Sequence, residues 1–167
     1  MSLTMHTATV PTCARALTNL AAILEKAAAY AEARKIDPAV LLGSRLYPDM
    51  LPLSAQLQIA NDIAQGGAAR LAGVEVPVFE QKQRSLAEWV ATTRATVGYL
   101  ESLKATQFEG AEDKNITWQT RSSTKNMQGT AYLFHHVLPN VFFHVTTAYD
   151  ILRQAGLELG KQDYLGR

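Results

Sequence analysis

The strongest constraint on this chain is the return of apolar side chains at alternating steps of three and four. It occurs in four separate stretches, each bounded by proline or glycine. The first runs from about Pro11 to Arg34, with Leu17, Leu20, Ala21, Leu24 and Ala28 on one face and Pro11 suited to a first helical turn. The second follows Pro52, where Leu57, Ala60, Ala64, Ala68 and Leu71 share a face and Gly73 provides a stop. Gly66 and Gly67 lie inside it. Such a pair weakens a helix, so it is read as close backbone approach to a neighbour.

The third stretch has the clearest start. Ser85 to Glu88 is a capping box, followed by Leu86, Val90, Thr93, Val97 and Leu100 as a packing seam. The fourth covers about Thr130 to Gln154, with Gly156 as its stop. Pro38, Pro48 and Pro52 leave room between the first two stretches only for a short helical turn near Ala39–Leu42. Between Gly110 and Gly129 the helical period vanishes, and Ile116, Trp118 and Thr120 alternate as in a small hairpin. The tail LELGKQDYLGR reads as a loosely packed extension. Residues 1–167 therefore predict one all-α domain, a four-helix bundle with a short β-hairpin before its last helix.

Composition narrows the function classes. At 47% hydrophobic, 19% charged and net charge +1, no long-range field favours nucleic acid or an anionic membrane. The densest basic group, Lys82 and Arg84, is too small for a binding patch. A single cysteine, Cys13, excludes an intrachain disulfide. No apolar run approaches bilayer length, and the N-terminus has no basic segment leading into an apolar one. A cytoplasmic protein is the expectation.

Three of the four histidines fall in HHVLPNVFFH, residues 135–144. On a regular helix His136, Asn140 and His144 step by four along one face, while His135 is out of phase with His144. Pro139 cannot donate to the carbonyl of His135, so a kink is expected there, and it decides where His135 and His136 point.

From His144 onward, HVTTAYDILRQAG resembles the last helix of the DinB-like superfamily, whose four-helix bundles include metalloenzymes. His144 matches the second histidine of that helix's histidine pair, and Leu152, Arg153 and Gly156 match its later Leu-Arg and glycine. The chain more closely resembles a domain-of-unknown-function branch of that superfamily. The matching stretches are residues 31–77, FEGAEDKNIT and residues 138–166, about half the chain. The resemblance implies a bundle but no reaction. In metal-binding relatives a second-helix histidine joins the two last-helix histidines on one divalent ion, zinc or nickel. Here the first position of that pair is Asn140, and the second helix offers only Asp62, beside Asn61.

Amide side chains are poor ligands for these metals. A rebuilt site would use His144 and His136 (or His135) with Asp62. The reading placed first is a small-molecule-binding or stress-associated module with a degenerate metal site and no metal cofactor. Its pocket would lie beside Asn140 and His144, with Asn61, Asp62 and Tyr149 among its residues. The alternative is a metal-dependent thiol transferase or hydrolase-like enzyme using His144, and enzyme status stays open. The resemblance also implies a homodimer, to which VPVFE would contribute. His6 is read as solvent-exposed near the bundle mouth, Cys13 as a buried apolar residue in the first turn of a helix, and Asp150 with Arg153 as a surface ion pair.

Overall fold

Thr4 and Thr7 start the first helix. Each hydroxyl accepts the other residue's backbone N–H, at 3.1 Å to Thr4 and 2.8 Å to Thr7. This reciprocal cap begins α1 (Met5–Arg34) earlier than Pro11, which lies within the helix instead of in its first turn. The chain was analysed as a computed structural model, which describes residues 3–78, 85–120 and 122–166. Lys82 and Arg84, and Phe79 and Glu80 of the VPVFE stretch, lie outside the described residues.

A short α2 (Pro38–Gly43) is capped by Asp37, whose carboxylate accepts from Ala39 N at 2.9 Å. Then α3 (Leu53–Ala72) ends at Gly73, whose φ of 70° is the left-handed stop anticipated. The capping box of Ser85 and Glu88 opens α4 (Leu86–Ser102), which a 3-10 turn follows at Ala105–Phe108. The hairpin pairs β1 (Asn115–Gln119) with β2 (Thr124–Gln128), Ile116 opposite Met127 and Trp118 opposite Lys125. No Asn-Gly closes it. Thr120 does: its N–H and hydroxyl both donate to the Ser123 carbonyl, at 2.9 and 2.8 Å.

The last long helix is built in three parts: α5 (Gly129–Tyr132), a π-helical turn (Leu133–Val137) and α6 (Leu138–Gln154). The disturbance expected from Pro139 takes the form of that widened turn, in which Leu138 N–H donates to the Leu133 carbonyl. Helices α1, α3, α4 and α6 make the four-helix bundle, with α1 and α3 each packed against both α4 and α6.

Small residues let α3 and the last helix approach closely. A Cβ on Gly67 would lie 2.7 Å from both methyls of Val137, so the π turn sits directly on the glycine backbone. Gly66 faces Arg70 of its own helix instead. The tail is not loose. Leu157 and Leu159 are buried, and α7 (Lys161–Leu165) docks on α1. There Arg15 Nη2 and Asn19 Nδ2 each donate at 2.8 Å, to the carbonyls of Leu165 and Tyr164, and Lys26 pairs with Asp163 at 2.6 Å. These bonds satisfy C-terminal carbonyls of a helix too short to stand alone.

Candidate functional site

His144 is buried on the face of α6 that meets α3, and its Nδ1 lies 2.7 Å from Gln56 Oε1. Gln56 is itself buried, and its Nε2 donates to the Leu51 carbonyl at 3.1 Å. That second bond orients the amide, since a carbonyl can only accept. Gln56 Oε1 therefore faces the imidazole, the imidazole proton sits on Nδ1, and the lone pair is on Nε2. Burial lowers the His144 pKa below the ordinary histidine value, which keeps this ring neutral at neutral pH.

Asn140 does not bond His144. Its Nδ2 donates to the His136 carbonyl at 2.6 Å and lies 3.5 Å from His136 Nδ1. His136 packs toward the hairpin, 4.6 Å from the Trp118 ring and 5.3 Å from Tyr132 between ring centroids. Arg70, on α3, donates to the Tyr132 hydroxyl at 3.3 Å. Burial first, and then the Arg70 guanidinium, hold the His136 pKa below its ordinary value. His135 points to solvent.

The remaining candidates are spread over the bundle. Asp62 accepts from Gln58 Nε2 at 2.8 Å on its own helix. Asn61 is fully buried. Its Nδ2 donates to the Leu57 carbonyl and to Thr93 Oγ1, while its Oδ1 has no hydrogen-bond partner among the described residues. Tyr149 receives Arg153 Nη1 at 2.7 Å and faces Tyr164 of the docked tail, so Arg153 bonds one turn back along α6. The ion pair expected with Asp150 does not form, because the i,i+4 phenol is the better-placed partner. His6 is half-buried, with Nε2 3.1 Å from the Leu103 carbonyl and its ring edge-on to Phe108. Cys13 lies well inside α1, fully buried. Burial pushes its thiol up to about 12, so it is an inert core group.

Gln56, Arg70 and Tyr132 were not singled out in the sequence. Gln56 stands beside the apolar stripe of α3, next to Leu57, and this position is the only signal that it turns inward. The three cavities described in the fold are lined by other residues than His144, Asn140 and Asp62.

The donor set can be tested against a divalent metal. Among the described residues no three His, Cys, Asp or Glu side chains are arranged to hold one. His144 offers a single lone pair, Gln56 Oε1 already accepts its proton, and Asn140 turns its amide nitrogen to a carbonyl. One imidazole with amide neighbours does not match zinc or nickel, which take several imidazole, thiolate or carboxylate donors.

Residues 5–165 match the family described as domain of unknown function DUF1993. The chain belongs to the DUF1993 family. It is also similar to the crystal structure of a DinB family member protein from Shewanella denitrificans. The two are 41% identical with a TM-score of 0.89, over 97% of this chain and 92% of that one. The DUF1993 chain is thus a DinB-like four-helix bundle, a bundle expected from its periodicity and a DinB-like one from the resemblance of its last helix. No match is found among curated proteins. Among the described residues no helix is long and apolar enough to cross a membrane.

Proposed function

We propose that this DUF1993 protein is a non-catalytic, small-molecule-binding or stress-associated module whose ancestral metal site has become a polar contact. The observation that carries this reading is the 2.7 Å bond from His144 Nδ1 to Gln56 Oε1. It joins the surviving histidine of the last helix to a neutral amide on the second bundle helix, where metal-binding relatives have a histidine. Gln56 orients the imidazole, and burial lowers its pKa.

The alternative is a metal-dependent thiol transferase or hydrolase-like enzyme with His144 as ligand. One observation favours it: the Nδ1–H tautomer leaves Nε2 with its lone pair, the form in which a histidine ligates. Metal analysis of untagged protein from medium supplemented with zinc and nickel separates the two. The proposal expects far less than one metal per chain, both in the native protein and in His144→Ala. Stoichiometric metal that disappears in His144→Ala establishes the alternative.

A cytoplasmic homodimer completes the proposal. Phe142 and Phe143 are exposed on α6 and give pairing an apolar surface. Light scattering that returns only the monomer mass contradicts it.

A further inference from the structure

The largest described cavity, about 670 Å³, is remote from the His144–Gln56 contact. It lies where the start of α1, the 3-10 turn and the π turn meet, and its size is that of a small-molecule site. Met5, Ala8, Phe108 and Phe134 give it apolar walls. Phe134 is 43% exposed although it is a large aromatic residue, so the wall it forms is open to a ligand.

Among the described residues, the charged groups lining this cavity are Glu109 and Glu112, both exposed. Neither carboxylate has an ion-pair partner among the described residues. Lys104 and Lys114 flank them in sequence but do not line the cavity, and the Lys114 ammonium lies over Gly73. His6 also lines it. Its Nε2 faces the Leu103 carbonyl at 3.1 Å and so donates to it. The N-terminus of α1 opposes a cation with about half a positive charge, against two full negative charges from the glutamates.

We propose that this cavity binds an organic ammonium ligand with an apolar body, the ammonium held by Glu109 and Glu112 and the body set against Phe108 and Phe134. Apolar walls without a charged group would accept any hydrophobic molecule. Two carboxylates without an ion-pair partner among the described residues make the site discriminate by charge. The inference does not rest on the His144 reading, and the metal content of the protein leaves it unchanged.

Phenylbutylamine, phenylbutanol and phenylbutyrate share one body and differ in the head group. Titrated into the full chain and followed by backbone amide NMR, the amine should move signals of His6, Phe108 and Phe134. It should bind about tenfold more tightly than the alcohol, the order of one partly exposed charge-assisted contact, and more tightly still than the carboxylate. The Glu109→Gln/Glu112→Gln variant changes exposed residues only and should bring the amine to the level of the alcohol. Ala105→Trp, also at an exposed lining position, should abolish binding of all three. Equal binding of the three probes, shifts confined to other regions, no binding, or a preference that survives the double variant overturns the proposal.

Discussion

Gln56 on α3 and His144 on α6 share a buried hydrogen bond of 2.7 Å. The Leu51 carbonyl fixes the glutamine amide through a further bond at 3.1 Å, so the backbone before α3 sets the tautomer of a histidine on the opposite helix. The chemistry available at this end of the bundle follows from that chain of three groups.

Breaking the contact from one side leaves a buried polar group without its partner. Gln56→Leu and His144→Leu should each destabilise the fold by about 1–3 kcal/mol. Denaturant titration of the double variant should show less than the sum, because no orphaned group is left. Strictly additive losses would mean that the two side chains do not interact.

Acidification should weaken the fold through both inward histidines. Burial holds His144, and burial with Arg70 holds His136, below the ordinary value of 6.5 in the folded chain. The unfolded chain then binds protons first as pH falls, so stability is full above 6.5 and declines as pH drops from there toward the folded values. Urea midpoints measured from about pH 8 to about pH 5 should fall in this window. They should fall less steeply in His144→Gln and in His136→Gln. Identical pH profiles in the variants and the native protein would refute the assignment.

Gly67 and Val137 meet where α3 crosses the π turn. Gly67→Ala should destabilise by about 1–3 kcal/mol through overpacking. A second change, Val137→Ala, makes room for the added methyl and should recover part of that loss in a thermal melt. No recovery in the double variant would place the strain elsewhere.

Much of the bundle could be read before any coordinates. The faces of Leu57, Ala60, Ala64 and Leu71, and the Ser85–Glu88 box, are local patterns, and local patterns specify where helices form. The Thr4–Thr7 cap escaped notice because threonine replaces the usual glutamate or glutamine at its third position. The tail escaped because its order comes from Arg15, Asn19 and Lys26, more than a hundred residues away in sequence. The same limit applies to the candidate site. Spacing put Asn140 and His144 on one helix, but only the crossing of α3 with α6 brings Gln56 to His144. The widened turn before Pro139 then sends His136 toward Trp118.

The imidazole nitrogens of His144 give the most direct test of the central claim. Long-range proton–nitrogen NMR at neutral pH, assigned by loss of the signals in His144→Gln, should show a neutral ring protonated at Nδ1. Stoichiometric zinc should leave those signals in place. A ring protonated at Nε2, or a zinc-induced shift of the His144 nitrogens to ligated positions, would contradict an amide-held, metal-free histidine.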